Sequence, residues 1–305
     1  MAQDESYTIE EIAQMLKVSK LTVYDLVKKG DLVAYRVGRQ MRIDDKELAA
    51  YKKRSQEGVP QSRQDVQNNI ESFRNIVISG QDHSLDIFSR ALEQVEGNYQ
   101  PLRSQVGSLD SLIAMYEGRA DIVSTHLYDA DTDSYNILYV RKLLVSKPFV
   151  VIHFISRQAG FYVQKGNPKE ISDWSDLARS DINMINREPG AGARVLVDEM
   201  LRKYQIKREQ VQGFKNEETS HASVASRVAT NEADVGVGIA QAIESVDVDF
   251  LPMITESYDL VILQTEDNIK LINHVRNILA SLDFQKELIA LGYDITGIGD
   301  IIYEQ

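Results

Sequence analysis

From Asn75 to Gly238 the sequence repeats one pattern: a short apolar run of β-favouring residues, a small polar turn, then an amphipathic helical stretch. Ile76-Val77-Ile78 leads through Ser79-Gly80 to the helically spaced Leu85, Phe88, Leu92 and Val95. A second strand leads to Gly107-Ser108, followed by Leu109, Leu112, Ile113 and Tyr116, and Ala120 to Val123 form a third that ends at Thr125-His126. Strand alternating with helix predicts an α/β fold with a mainly parallel sheet. Ligand sites in such sheets lie at the carboxyl ends of strands, where helix N-termini converge. Ser79, Ser108, Thr125 and His126 occupy those ends. Free backbone N–H groups and the helix dipole favour negative charge there, so a small anion is the expected ligand.

The pattern continues past Phe149. Phe149 to Val163 reads as two strands joined through Ser156-Arg157-Gln158-Ala159-Gly160. A strand at Ile182 to Ile185 runs into Arg187 and a loop, Gly190-Ala191-Gly192-Ala193-Arg194, which opens a helix through Val195, Leu196 and Met200. Glu218-Thr219-Ser220-His221 caps another helix, and Ala233 to Gly238 form the next strand. Arg194 is suited to gripping a carboxylate or phosphate bidentately. It is equally suited to an ion pair with Asp198, four residues on along the same helix.

A separate module precedes this one. The chain of 305 residues is long enough for two domains, and its net charge of −12 is unevenly spread. Lys17 to Arg54 holds eleven basic against five acidic residues, a net of +6 that leaves −18 for the remainder. Such asymmetry suggests a DNA-facing module on an acidic body. Thr8 with Glu11 forms a capping box that starts a helix at Ile9, with Ile12, Met15 and Leu16 as its apolar face. Ser19 caps a second helix from Lys20 to about Lys29, stopped by Gly30. Strand-like runs at Leu32 to Val37 and Met41 to Ile43 flank a turn at Gly38-Arg39-Gln40, and a third helix carries Leu48 and Tyr51.

The stretch TIEEIAQMLKVSKLTVYDLVKKGDLVAYRVGRQMRI, with DDKELAAY after it, resembles the excisionase/MerR-like winged helix-turn-helix family over residues 6–54. The resemblance implies that the second helix enters the major groove of double-stranded DNA while the wing touches the backbone or minor groove. By position it assigns Lys20, Thr22, Tyr24 and Lys28 to the recognition helix, and Arg39 and Arg42 to the wing. Val23, Leu26 and Val27 read as core. A dimer is expected, since one small winged module makes few base contacts and operators are often symmetric.

Residues 55–74 are polar and read as a linker, with a short helix through Ile70 and Phe73 at its end. Beyond it, VGSLDSLIAMYEGRADIVSTHLYD, YNILYV, INREPGAGARVLVDEML, EETSHASVASRVATNEADVGVGI, YDLVIL and LGYDITGIGDI resemble the periplasmic-binding-protein-like domain of one-component regulators related to molybdate-binding proteins. The resemblance implies a bilobal α/β domain over 75–305, with lobe one at 75–155 and 243–305, lobe two at 156–242, and ligand in the cleft. It places Ser79, Ser108, Thr125, His126, Arg187, Gly190, Ala191, Gly192, Ala193, Arg194, Ser220, His221 and Tyr258 at that cleft. One departure matters: the family loop reads Gly-Ser-Gly-Thr-Arg, and Ala191 and Ala193 here replace both hydroxyls. Molybdate or tungstate, small and doubly charged, needs those donors, so an organic or nucleotide-like anion packed partly on the alanine methyls becomes the alternative.

Composition narrows the rest. The sequence has no cysteine, which excludes disulfides and thiolate metal sites. None of the five histidines has a partner at metal-ligand spacing, and no cofactor is expected. The N-terminus lacks a signal-peptide pattern and no apolar run is long enough to span a bilayer, so a cytoplasmic protein without membrane contact is expected. The chain has no G-x-S-x-G, Walker or H-E-x-x-H motif, which points away from an enzyme. Two readings remain: a DNA-binding transcription regulator that senses a small anion, and a DNA-binding protein whose C-terminal domain only oligomerises.

Overall fold

The computed structural model describes residues 6–28, 30–38, 40–56, 73–243 and 245–305. They fall into two compact units, Met1–Ser72 and Phe73–Gln305. Arg39 of the expected wing and 57–72 of the expected linker, with Ile70, lie outside the described residues.

In the first unit, β1 (Ser6–Thr8) leads directly into α1 (Ile9–Leu16). The capping box forms as expected: Thr8 Oγ1 accepts from the Glu11 N–H at 3.4 Å, and the Glu11 carboxylate accepts from the Thr8 N–H at 2.8 Å. That reciprocity satisfies two amides the helix leaves unpaired at its start. Lys17, at φ 54°, ends the helix after eight residues. So short a helix buries one stripe, Ile9, Ile12 and Ala13, and Met15 falls off it, 44% exposed rather than on the apolar face. Ser19 Oγ accepts from the Thr22 N–H at 3.1 Å at the start of α2 (Lys20–Lys28). Gly30, at φ 78°, turns the chain out of α2, and the first strand of the hairpin begins only at Tyr35.

Strands β2 (Tyr35–Val37) and β3 (Gln40–Asp44) form an antiparallel hairpin, with β1 on the other edge of β3. Helix α3 (Asp45–Gln56) follows. Ile9, Ile12, Ala13, Val23, Leu32, Ile43 and Leu48 make the core, with Leu26 and Val27 packed against it. Val23, Leu26 and Val27 are therefore packing residues, as the sequence implied.

The second unit is organised by two long strands. β9 (Phe149–Val163) and β13 (Asp249–Leu263), each of 15 residues, pair antiparallel from Phe149↔Leu263 to Val163↔Asp249. β9 is continuous, which corrects the expected pair of strands joined at 156–160. Ser156-Arg157-Gln158 is polar because it lies where the strand passes from one half of the unit to the other, not because the chain turns there.

One half gathers around the Phe149 end. β4 (Arg74–Ser79), β5 (Tyr99–Ser104) and β6 (Ile122–Thr125) run parallel, β6 pairs with β13, and β14 (Ile301–Glu304) pairs with β9. Alternation along β9 fills two core layers. Val150, Ile152 and Phe154 face Phe88, Val275 and Leu288 of α4 (Ser84–Glu93), α9 (Ile269–Ala280) and α10 (Leu282–Ala290). Phe149 and Val151 face Leu112 and Val140 of α5 (Ser108–Tyr116) and α6 (Ile137–Leu143).

The other half gathers around the Val163 end. β12 (Val235–Ile239) pairs antiparallel with β9, and β10 (Met184–Arg187) lies parallel between β12 and β11 (Glu217–Glu218). Phe161 and Val163 pack with Trp174 and with Leu196 of α7 (Gly192–Lys203), whereas Tyr162 packs with Val224 and Val228 of α8 (His221–Ala229). Tyr128, from the small hairpin of β7 (Tyr128–Asp129) and β8 (Ser134–Tyr135), joins the Trp174 cluster and so packs with this half. The predicted bilobal α/β architecture stands. Among the described residues no helix is long and apolar enough to cross a membrane.

Candidate functional site

Where β9 and β13 cross between the halves, Arg157 and Glu256 are direct cross-strand partners. Arg157 Nε donates to Glu256 Oε1 at 2.7 Å, and its guanidinium also pairs with Asp82. Asp82 reaches this point on the loop after β4. Gly80 makes that loop possible: its φ of 146° is one that only glycine adopts easily, and a β-carbon there would lie 1.9 Å from Ser124 Oγ. Tyr293 donates to Asp82 Oδ1 at 2.8 Å, and the Tyr258 ring lies 4.2 Å from the Arg157 guanidinium carbon.

Across Glu256, its second oxygen meets His126 Nδ1 at 3.0 Å. Burial pushes the Glu256 carboxyl up, but Arg157 and then His126 draw it down, and the balance holds it at about 2. Asp82 is likewise lowered, the pull of Arg157 and the Ser84 hydrogen bonds outweighing its burial. Asp82, Arg157 and His126 of this buried network line a cavity of about 210 Å³, together with Ser108, Ser124, His221, Gln241 and Tyr258.

His221, the first residue of α8, stands opposite. Its Nδ1 is buried without a hydrogen-bond partner among the described residues, and burial, then Arg187 and Arg157, hold the ring well below the usual histidine range. His221 also borders a second cavity, of about 510 Å³, with Gln81, Arg187 and Glu188. Arg187 there donates to both Glu188 oxygens, at 2.7 and 2.8 Å, and to Gln81 Oε1 at 2.7 Å. Gly190 joins the halves directly: its carbonyl accepts from the Leu109 N–H, in the first turn of α5, at 3.1 Å.

The residues singled out in the sequence are thus distributed unevenly. Ser108, His126, His221 and Tyr258 line the first cavity, and Arg187, Ser220 and His221 the second. Ser79 is fully buried, its Oγ 2.8 Å from Ser111 Oγ. Thr125 Oγ1 is buried and has no hydrogen-bond partner among the described residues. Ala191 is the N-cap of α7 without a side-chain cap, and Ala193 packs into the Trp174 cluster. Gly192 lies against the His126 ring, where a β-carbon would be 2.4 Å from Cε1. Arg194 lies over Phe214 and donates to the Arg187 carbonyl and to Glu217, both at 2.9 Å, with Asp198 at 3.7 Å. Sequence reasoning missed Asp82, Arg157, Glu256 and Tyr293. The available signal was a charge inside each long apolar strand, Arg157 in FVVIHFISRQAGFYV and Glu256 in DFLPMITESYDLVIL.

In the first unit, Lys20, Thr22, Tyr24 and Lys28 are all exposed on α2, Tyr24 by 47%. Lys20 pairs with Glu10, and Thr22 Oγ1 lies 2.8 Å from Ser19 Oγ. Arg42, on β3, donates to the Ser6 carbonyl at 3.1 Å and to Ser6 Oγ at 3.2 Å, so it ties β3 to β1.

Comparison with known proteins agrees with both units. A helix-turn-helix domain family matches residues 6–56 and a PBP superfamily domain matches residues 89–280. The uncharacterized protein YvgK of Bacillus subtilis is 47% identical over 310 residues, covering all of both chains. Among solved structures, OxyR of Corynebacterium glutamicum aligns at a TM-score of 0.53 with 11% identity, over 93% of this chain and 89% of its own. An ABC-type phosphate transport receptor of Vibrio cholerae aligns at 0.50 with 16% identity, over 72% and 99%. At those identities the two structures share the fold alone. With its second unit matched across 89–280 and its N-terminal unit a helix-turn-helix domain, the chain belongs to the PBP superfamily.

Proposed function

We propose that the protein is a cytoplasmic transcription regulator that binds DNA as a dimer through its first unit and senses a small anion in the cleft of its second. The cavity at the β9–β13 crossing carries this reading. It brings His126, His221, Ser108 and Tyr258 from different elements to one point, beside the strands that connect the halves. A ligand there bridges both halves and so biases their arrangement, which is the requirement for coupling ligand to DNA affinity. Lys20, Thr22, Tyr24 and Lys28 on α2, with Arg39 in the wing, are the proposed DNA contacts, whereas Arg42 is engaged with Ser6 inside the unit. The protein acts by binding and turns nothing over.

The test is thermal stability of the full chain against molybdate, tungstate, sulfate, phosphate, carboxylic acids and nucleotides, followed by operator affinity with and without any compound that stabilises. Stabilisation should follow RT ln(1 + [L]/Kd). One saturable hit that also shifts DNA affinity supports the sensor.

A second reading, in which the C-terminal unit only oligomerises, is favoured by one observation. Both guanidiniums bordering the two cavities, Arg157 and Arg187, are already paired with carboxylates of this chain. A broad panel that leaves stability unchanged would favour it.

A further inference from the structure

The sheet that runs through the second unit ends, among the described strands, at β5 on one side and β11 on the other, and β14 adds a third edge because it pairs with β9 alone. An uncovered edge offers backbone N–H and C=O groups to another strand, and proteins blunt such edges with proline, charge or brevity. β5 carries Pro101 and Arg103, and β11 is only Glu217–Glu218. β14 is Ile301-Ile302-Tyr303-Glu304, with both isoleucines exposed. Neither proline nor lysine interrupts it.

Beside this edge a groove follows α9. One stretch, of about 470 Å³, lies between Ile269 and Ile272 of the helix and Ile301 and Glu304 of β14. The next, of about 490 Å³, lies between Asn277 and Ala280 and the loop at 298–300. Asn273 and Arg276 border both stretches, so the two are continuous. The Arg276 side chain is exposed and has neither an ion pair nor a hydrogen bond among the described residues. Glu304 accepts from Gln264 Nε2 at 2.5 Å, a neutral partner that leaves its charge unmatched.

We infer that this face, β14 with the groove of α9, is where two copies of the chain meet, an inference that rests on the dimer of the proposed function. Two identical strands that continue one sheet about a two-fold axis run antiparallel. The register that pairs all four residues sets the axis between Ile302 and Tyr303, so Ile301 of one copy lies opposite Glu304 of the other. Arg276, which borders the groove beside Ile301, then meets the second copy's Glu304, and the axis repeats that pair. Main-chain pairing, exposed isoleucines and opposite charges are thus all satisfied by one symmetry operation. An unrelated strand would gain the edge but not this match of charges, which the chain supplies to itself.

Sedimentation equilibrium of the full chain and its variants tests this. The parent should be a dimer. Arg276→Glu and Glu304→Arg should each weaken it about tenfold or more, since each sets like charges face to face. The double variant restores the pair with its signs exchanged and should recover most of the affinity, a rescue that misfolding cannot imitate. Ile302→Lys, which places a lysine on the edge itself, should dissociate the dimer while keeping the far-UV spectrum of the parent. Dimers as tight in the variants as in the parent overturn the inference and leave the proposed dimer, formed elsewhere, intact. Weakened single variants that the double variant does not rescue also overturn it, because the loss is then not one of matched charge. A parent that stays monomeric overturns the proposed dimer and this inference together.

Discussion

Arg157 and Glu256 face each other across the β9–β13 ladder, with Nε 2.7 Å from Oε1 and both side chains 2% exposed. An ion pair buried this deeply is held by its geometry, because removing either partner strands the other charge in a low dielectric. Arg157→Ala leaves two carboxylates, Asp82 and Glu256, without their counter-charge. The expected loss is roughly 3–5 kcal/mol, read by urea unfolding of the full chain followed at the second unit. A loss below about 1 kcal/mol would show that Arg157 is not what holds the crossing together.

The same network sets a pH dependence. Glu256 sits at about 2 in the fold against an ordinary 4.5, and Asp82 is lowered too. For carboxyls lowered by folding, the stabilisation is fully present above the ordinary value and is lost as pH falls through the folded one. Stability should therefore decline as pH drops from about 4.5 towards 2. Glu256→Gln should flatten part of that decline and leave the share due to Asp82. Parallel profiles for parent and variant would remove Glu256 from the explanation.

His153 provides the opposite sign. Its hydrogen bond to Asp259, at 2.8 Å, and the charges of Asp259, Asp300 and Asp294 raise it above the ordinary histidine value despite burial. Its contribution is present below the ordinary value and is lost as pH rises through the raised one. His153→Gln should therefore lose stability on the acid side and little on the alkaline side, measured by thermal unfolding across that range. Equal losses on both sides would mean packing, not charge, is at work.

Local signals were legible in the sequence because their partners are close in the chain. Thr8 and Glu11, Ser19 and Thr22, and the Ser220 cap all join residues three apart, and each forms its hydrogen bond. The strand–turn–helix order of 75–240 gave the α/β architecture for the same reason. The centre of the cleft was not legible, since Arg157 meets residues 75 and 99 positions away. No periodicity reports such a pairing. Arg194 illustrates the converse: its residue type and loop position suggested an anion clamp, but Phe214 and Glu217, brought in by β11 and its approach, surround it.

In the first unit, exposure separates two basic residues that the sequence treated alike. Lys28 is exposed on α2, whereas Arg42 spans β3 and β1 through Ser6. Lys28→Ala should weaken DNA binding, reduce the slope of log affinity against log salt by about 1, and leave the unit's stability unchanged. Arg42→Ala should lower stability by about 1 kcal/mol for its lost hydrogen bonds, and any loss of affinity should follow that. Electrophoretic mobility shifts across a salt series, with thermal melts of both variants, separate the two. A changed salt slope for Arg42→Ala at unchanged stability would make it a phosphate contact after all.

Gly192 gives the sharpest local test of the cleft. Its backbone is not in the left-handed region, so alanine is conformationally permitted, yet the added carbon would lie 2.4 Å from His126 Cε1 and 2.6 Å from both ring nitrogens. Relief requires that the imidazole leave its place beside Glu256 or that α7 move away from it. Either movement costs stability, about 1–3 kcal/mol for an overpacked site. The informative readout is the histidine itself. Gly192→Ala should move the NMR resonances of the His126 ring, because the hydrogen bond from its Nδ1 position to Glu256 cannot keep its geometry. Anion-induced stabilisation should fall in the same variant, because the ring no longer lines the cavity in the same place. Unshifted His126 ring resonances, with anion response intact, would mean that the loop yields instead and that contact between α7 and the ring is not required for the site.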